Sequence, residues 1–262
     1  MKSALAEIEF LALSSNRVAV LEALADGLHT RSELADATGA SQPTLGRILR
    51  DLEERRWIAR ADGGYEATAT GRMVAEGMTD LLAIVETEAK LRPVMEWLPT
   101  ESMTFDLGRL RDATITVPSR TRPSAPVKRV NEALGRAEDV QVCSHAFNEG
   151  TLETVRERVV DGRQRFDGVL SRAAIDALAE DDSLRAGLRE LVAAEGATIR
   201  RHPEEIPIAI TIADGRVLLL VRDDDGVLQA SIDTDDPEVV SWARSVYEEH
   251  WEAATPVEAD EL

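Results

Sequence analysis

Apolar residues in the first hundred positions recur every three or four residues, the spacing at which one face of a helix is buried. Capping signals mark the helix starts: Thr30 and Glu33 form a capping box, and Ser41 precedes Pro43, which suits a first helical turn. Two strand-like runs flank an Asp-Gly-Gly turn, as in a β-hairpin. The pattern predicts these elements: helix 5–26, helix 30–39, helix 41–56, strands 57–60 and 65–68, and helix 70–98, kinked at Pro93 and ended by Pro99.

Strand-like and helix-like runs alternate after a loop at 117–127 that is rich in proline, serine and arginine. Tight turns at Asp214-Gly215 and at 223–226 separate the last strands. Alternation followed by a meander favours a mixed α/β sheet. The predicted elements are strands 139–147, 165–170, 198–201, 206–213, 217–222 and 227–232, and helices 149–160, 173–195 (as one or two segments) and 238–253.

The charge composition is the most informative feature of the sequence as a whole. Asp and Glu number 49 against 30 Lys and Arg, a net charge of −19, and the only lysines are Lys2, Lys90 and Lys128. Carboxylates keep a protein soluble where salt promotes hydrophobic association, so we interpret the composition as adaptation to a salt-rich cytoplasm. The alternative is an ordinary acidic protein. The single cysteine excludes an internal disulfide, and no signal peptide or membrane-spanning run is present, which predicts a cytoplasmic protein without a membrane partner.

The acidic charge is weakest at the N-terminus, where residues 1–77 carry nine basic and twelve acidic side chains. There, a capped helix, a glycine-containing turn, a second helix and a glycine-rich hairpin make up the parts of a winged helix-turn-helix. In that arrangement the first helix braces the second, whose polar N-terminal residues enter the major groove of DNA. The residues predicted to contact double-stranded DNA are Arg31, Ser41, Gln42, Thr44, Gly46, Arg47, Arg50, Arg60 and Tyr65.

Chemistry suggests a role for several of these residues. Gln42 matches adenine and Arg47 matches guanine or a phosphate, while Gly46 would permit close approach to the duplex. Two alternatives stay open. Arg50 could pair with Glu54 on a solvated helix face, and the whole motif could be a protein-interaction adaptor that keeps a winged-helix scaffold without binding DNA.

These elements predict an α/β protein with four segments. They are a winged helix-turn-helix at 1–69, a linker and dimerisation helix at 70–99, a mixed α/β sensor domain at 100–254 and a disordered tail at 255–262. The apolar side of the linker helix needs a partner, which predicts a homodimer whose two recognition helices address two half-sites.

Both halves resemble known archaeal proteins. The first half resembles haloarchaeal helix-turn-helix regulators in the segments 8–18 (IEFLALSSNRV), 30–35 (TRSELA), 41–49 (SQPTLGRIL) and 65–71 (YEATATG). The second half resembles the effector domain of methanogenesis-type regulatory proteins in the segments 123–126 (PSAP), 159–162 (VVDG), 210–214 (ITIAD) and 241–247 (SWARSVY). The resemblance implies transcription control and leaves the target open.

Polar residues in the second half suggest a small-molecule effector site. Ser119, Arg120 and Arg122 form a cationic loop in an acidic domain, which would suit an anion. The residues predicted at strand ends, where open α/β sheets place ligands, are Ser144, His145, Asn148, Ser171 and Arg172. The alternative is that these residues are helix caps and solvated loops.

Enzymatic signals are weak, and we expect no enzyme, metal or cofactor. Cys143 and His145 share a strand face, but a small thiol on such a strand more often belongs to the core. The four histidines are scattered without metal-ligand spacing, and the aspartates of 223–226 lack the rest of a calcium loop. The His-x-Lys pair of phospholipase-like sensor domains is also missing.

Overall fold

The structure is a computed structural model that describes residues 3–223 and 225–262. The chain divides into two compact units, Met1–Glu86 and Thr87–Leu262. The first unit is helical with one hairpin, and the second is built on a mixed sheet, so the predicted α/β fold class is confirmed.

The first unit follows the order predicted for a winged helix. Its elements are α1 (Ala4–Ala12), α2 (Ser15–Asp26), α3 (Arg31–Thr38), α4 (Gln42–Glu54), β1 (Ile58–Ala61), β2 (Gly64–Ala67) and α5 (Ala69–Leu91), which continues into the second unit. Leu21, Leu34, Leu45 and Leu52 are fully buried and form the centre of its core.

One helix predicted from the sequence is two helices in the structure. The sequence predicted a continuous helix over 5–26, but α1 ends at Ala12 and Ser14 has an extended backbone before α2 begins. Ser14 occupies the N-cap position of α2, and its side chain makes no cap hydrogen bond there. The break turns α1 so that Leu11 is buried while Leu5 and Leu13 stay exposed.

The hairpin is joined to the rest of the unit by backbone contacts. His29 and Tyr65 exchange two backbone hydrogen bonds of 3.0 and 2.9 Å, which adds a third extended segment to the β1–β2 pair. Gly64 lies against the His29 carbonyl, and a side chain there would place Cβ 2.3 Å from that oxygen. The glycine-rich turn thus serves close packing as well as the hairpin bend.

The second unit contains the remaining elements. They are β3 (Thr114–Thr116), α6 (Ala125–Leu134), β4 (Asp139–Ser144), α7 (Glu149–Val160), β5 (Arg165–Ser171), α8 (Arg172–Glu180), α9 (Asp182–Ala193), β6 (Ala197–His202), β7 (Ala209–Ala213), β8 (Arg216–Arg222), β9 (Leu228–Thr234), α10 (Pro237–Ala253) and β10 (Thr255–Pro256).

Within the described residues these strands form one sheet in the order β10-β6-β5-β4-β7-β8-β9-β3. The pairs β4–β5 and β5–β6 are parallel and the others are antiparallel. One face packs against α10 through Trp242 and Tyr247. The opposite face packs against α6 to α9, with Phe166 and Leu188 fully buried there.

The helix predicted at 70–98 ends earlier in the structure, and its residues are divided between the two units. It ends at Leu91 because Pro93 lacks an N–H and disfavours a helical residue before it. Leu91, Val94 and Leu98 are buried in the core of the second unit, so the predicted linker at 70–99 contributes to that core. Over the described residues, no helix has both the length and the apolar character needed to cross a bilayer.

Two further predictions need correction. The loop at 117–127 ends at Ser124, where α6 begins with Pro126 in its first turn, and neither α6 nor β3 was predicted from the sequence. The tail at 255–262 is not disordered: Thr255–Pro256 pairs with β6, and Val257 is buried. Asp224 of the predicted turn lies outside the described residues, while Asp223 accepts hydrogen bonds from the backbone of Asp225 and Val227.

Candidate nucleic-acid interface

Helix α4 has one buried and one exposed side. Ser41 caps its start by accepting a hydrogen bond from the Thr44 backbone at 3.4 Å, with Pro43 in the first turn. Four residues at helical spacing pack inward: Leu45, Ile48, Leu49 and Leu52. The opposite side, with Arg47 and Arg50, faces solvent. A helix so held presents its outer side chains to a partner at fixed positions.

Arg47 and Arg50 are two exposed cations on the outer side of α4. In the part of the chain that the structure describes, neither guanidinium has a hydrogen bond or an ion pair. The Arg50–Glu54 pair that the sequence allowed is therefore not formed. Unpaired guanidinium groups keep all their donors available for phosphate or base edges.

Two other arginines near α4, Arg17 and Arg55, are occupied by internal contacts. Arg17 lies 3.7 Å from Asp51, and Arg55 pairs with Glu7 at 2.7 Å. Both guanidinium groups also stack on the ring of Phe10, at 4.1 and 3.5 Å from its centroid. These arginines anchor α1 and α2 to α4 and are not free for a ligand.

The guanidinium of Arg31 lies beside Gly46. The sequence predicted that this glycine would let DNA approach closely, but the guanidinium of Arg31 occupies the space, 2.6 Å from where a Cβ would lie. Arg31 donates a 2.6 Å hydrogen bond to the carbonyl of Gln42. Arg31 and Gly46 therefore lock α3 onto the start of α4, and Arg31 is committed to that contact.

The remaining predicted contacts divide between the start of α4 and the wing. Ser41 and Thr44 share a hydroxyl hydrogen bond of 2.9 Å, whereas Gln42 is exposed. On the wing, Arg60 pairs with Glu53 at 3.0 Å, and this contact raises the pKa of Arg60. Tyr65 lies partly buried beneath the Arg60 guanidinium.

The predicted effector residues of the second unit lie in two places. Ser144 and Ser171 end the adjacent parallel strands β4 and β5, and Ser171 donates a 3.4 Å hydrogen bond to the His145 carbonyl. The Nδ1 atom of His145 is buried without a partner. Burial and the nearby Arg222 guanidinium lower the pKa of His145.

Several of these side chains also have local partners. Asn148 and Ser171 are the N-caps of α7 and α8. The Ser144 hydroxyl donates a 2.6 Å hydrogen bond to the Ala146 carbonyl. The cap interpretation left open by the sequence thus describes Asn148 and Ser171, while Arg172 is exposed.

The loop around Ser119 borders a cavity of about 380 Å³. Ser119 and Arg122 are joined by backbone hydrogen bonds, and Arg120 is exposed. Only Arg122 of the three predicted residues lines the cavity, together with Ser124 and Lys128 at the start of α6. The sequence missed Lys128 because it could not place α6 beside this loop.

Cys143 does not form the thiol–imidazole pair that the strand pattern allowed. Its side chain is buried in the core, and β4 ends at Ser144, before His145. Burial raises the pKa of the Cys143 thiol to about 12, so almost no thiolate exists at neutral pH. Among the described residues no cluster of three or more His, Cys, Asp and Glu side chains could hold a metal ion.

Two family models match the chain. Residues 5–90 match the HVO_A0261 N-terminal domain, and residues 123–253 match the middle domain of the methanogenesis regulatory protein FilR1. A search of curated proteins found no match.

The solved structures that match this chain are distant from it. The archaeal chromatin protein TrmBL2, described with a novel mode of DNA binding, has 16% identity and a TM-score of 0.45 over 97% of this chain and 100% of that chain. Nuc from Salmonella typhimurium, a phospholipase D family member, has 13% identity and a TM-score of 0.44 over 56% of this chain and 99% of that chain. A MarR family protein from Mycobacterium tuberculosis has 22% identity and a TM-score of 0.31 over 35% of this chain and 70% of that chain.

Scores below 0.5 add nothing to the assignment, which rests on the two family models. The FilR1 match spans half of the chain and contains α6 to α10, the helices that cover the sheet. The chain therefore belongs to the family of the methanogenesis regulatory protein FilR1, whose middle domain it carries behind an HVO_A0261 N-terminal domain.

Proposed function

We propose that this protein is a sequence-specific, DNA-binding transcription regulator of a salt-rich cytoplasm. The observation that carries the proposal is the exposed, unpaired pair Arg47 and Arg50 on a helix whose other side is fixed in the core. Membership in a family of regulatory proteins supports the same function. In this proposal α4 enters the major groove, Arg47 and Gln42 contact base edges, and Arg50 contacts a phosphate.

The net charge of −19 is compatible with DNA binding under these conditions. Molar salt shortens the Debye length to about 3 Å, so the acidic second unit does not repel a duplex bound at α4. Cation uptake by carboxylates near the interface also offsets counterion release from DNA. We therefore expect affinity to fall less steeply with salt than it does for an ordinary basic regulator.

Genomic DNA capture tests the proposed function. Purified protein in molar potassium chloride should retain a small set of fragments that share related half-sites. The readout is the sequence enrichment of retained fragments over input. If the protein is folded and enriches no sequence, this result contradicts sequence-specific DNA binding. It then favours the second interpretation of the winged helix, a protein-interaction adaptor.

The second unit is the sensor in this proposal, and its effector is a small anion bound beside Arg122. The support is the cavity of about 380 Å³, whose lining includes three cations, Arg122, Lys128 and Arg129, against one carboxylate, Glu132, which lies 3.7 Å from Lys128. Ligand binding would shift the equilibrium between arrangements of the two recognition helices of a homodimer. Citrate and inorganic phosphate are suitable probes.

We expect such anions to raise the melting temperature of the second unit and Arg122→Ala to abolish this rise. The control is Arg244→Ala, an exposed arginine that does not line the cavity. Equal shifts in wild type and Arg122→Ala, or none in either, would contradict this location for the effector.

A further inference from the structure

A buried carboxylate in the sheet of the second unit is held by two arginines. Asp233 of β9 is 3% exposed. Arg129 of α6 contacts its Oδ2 atom, with Nε at 2.7 Å and Nη2 at 2.5 Å. Arg216 of β8 contacts its Oδ1 atom, with Nε and Nη2 both at 2.9 Å. Each arginine therefore donates to a different oxygen of the same carboxylate.

Arg129 is also part of the proposed effector cavity. It lines the cavity of about 380 Å³ together with Arg122 and Lys128. It also lines a neighbouring cavity of about 280 Å³, whose wall includes Asp233 and Arg216. The side chain of Arg129 is 39% exposed, so an anion in solution can reach its guanidinium. One arginine thus connects the effector cavity to the buried carboxylate.

Asp233 keeps a counter-ion when Arg129 binds a ligand instead. A buried carboxylate that loses its last cationic partner strongly destabilises a fold, which makes many buried ion pairs permanent. Here Arg216 by itself supplies two N–H donors and a positive charge to the carboxylate. Asp233 therefore remains paired without Arg129, and the geometry allows Arg129 to exchange between this carboxylate and another acceptor.

We propose that Asp233 competes with the anionic effector for Arg129 and so sets how tightly the cavity binds that effector. This inference rests on the effector site of the proposed function. A guanidinium edge with two N–H donors is the group that binds carboxylates and phosphates, and Asp233 occupies such an edge of Arg129. Arg122 and Lys128 attract the anion, and Arg129 binds it by giving up its contact with Asp233.

Isothermal titration calorimetry of the full chain with citrate in molar potassium chloride tests the competition. Asp233→Asn removes the competing charge and keeps the shape of the side chain, so citrate should bind at least about 5-fold more tightly than to the wild type. The control is Asp235→Asn, which removes the same charge from an exposed carboxylate that pairs with Arg216 at 3.2 Å. Molar salt screens an exposed charge, so the control should leave citrate affinity unchanged.

Arg129→Gln shows whether the effect is transmitted through Arg129. The glutamine amide can still donate a hydrogen bond to Asp233 but carries no charge, so citrate binding should weaken at least about 5-fold. In the double variant that combines Arg129→Gln with Asp233→Asn, the gain in affinity from Asp233→Asn should disappear. General loosening of the fold does not produce opposite changes in affinity at the two ends of one contact. If Asp233→Asn does not fold, wild-type citrate affinity of Arg129→Gln overturns the proposal.

The results distinguish the competition from the effector site on which it rests. Equal citrate affinity of the wild type and Asp233→Asn overturns the competition and leaves the effector site standing. Citrate binding to Asp233→Asn alone supports the competition and contradicts citrate binding by the wild-type cavity. If citrate binds neither chain, both the competition and the effector site are wrong, while DNA binding is decided separately by the capture of genomic fragments.

Discussion

Gly71→Ala is expected to unfold the winged helix while the second unit stays folded. Gly71 lies in the first turn of α5, and a Cβ there would come 1.8 Å from the Trp57 carbonyl oxygen and 2.7 Å from its carbon. These are backbone atoms, which cannot rotate away as a side chain end would. Overpacking against fixed atoms should cost at least about 3 kcal/mol of the free energy of unfolding of this unit.

The contacts around Trp57 explain why the chain cannot relax easily. The Trp57 carbonyl accepts hydrogen bonds from the backbone of Thr68 at 2.9 Å and from its hydroxyl at 3.1 Å. The same hydroxyl accepts a hydrogen bond from the Gly71 backbone at 3.1 Å. Moving α5 away to admit a methyl group would break this cluster and detach the wing from the helix that follows it.

Hydrogen exchange followed by mass spectrometry measures the result in each unit separately. In Gly71→Ala, amides of α4 and the wing should lose protection while those of β4 to β8 keep it. Gly27→Ala is the matched control, because Gly27 has an extended backbone at φ 163° and open space around its Cβ position. If the amides of α4 in Gly71→Ala are as protected as in the wild type, Gly71 does not lie this close to the Trp57 carbonyl, and the prediction is wrong.

Local signals in the sequence predicted much of this fold. The capping box of Thr30 and Glu33 is formed, and the helix predicted at 149–160 has those bounds because Asn148 caps it. Caps and periodic apolar positions act over a few residues, so they can be recognised without knowledge of the rest of the chain.

Long-range contacts explain what the sequence did not predict. Leu91 to Leu98 follow a helical pattern, and only packing against the second unit assigns them to its core. The tail is ordered by pairing with β6, more than fifty residues away, which no local pattern reveals. At the proposed interface, the sequence predicted four arginines, Arg31, Arg47, Arg50 and Arg60. In the structure Arg31 contacts the Gln42 carbonyl and Arg60 contacts Glu53, whereas Arg47 and Arg50 have no partner among the described residues.

This difference leads to the second prediction, that Arg47 and Arg50 each contribute directly to the DNA affinity. Each guanidinium is exposed and unpaired within the described chain, so Arg47→Ala or Arg50→Ala should change unfolding free energy by less than about 0.5 kcal/mol. Each substitution should nevertheless weaken binding to a captured site by about 1 to 3 kcal/mol, roughly 5- to 150-fold. Fluorescence anisotropy with a labelled site in molar potassium chloride measures the DNA affinity of the wild type and of each variant.

The salt series distinguishes the two roles. Loss of a phosphate contact lowers affinity for all sequences and reduces the dependence of log affinity on log salt by about one, whereas loss of a base contact relaxes sequence preference at one position. We expect Arg50→Ala to behave in the first way and Arg47→Ala in the second. Arg136→Ala, an exposed arginine of the second unit, is the control and should leave binding unchanged. If Arg47→Ala and Arg50→Ala bind as tightly as the control, α4 does not contact DNA, and its exposed cations serve a protein partner.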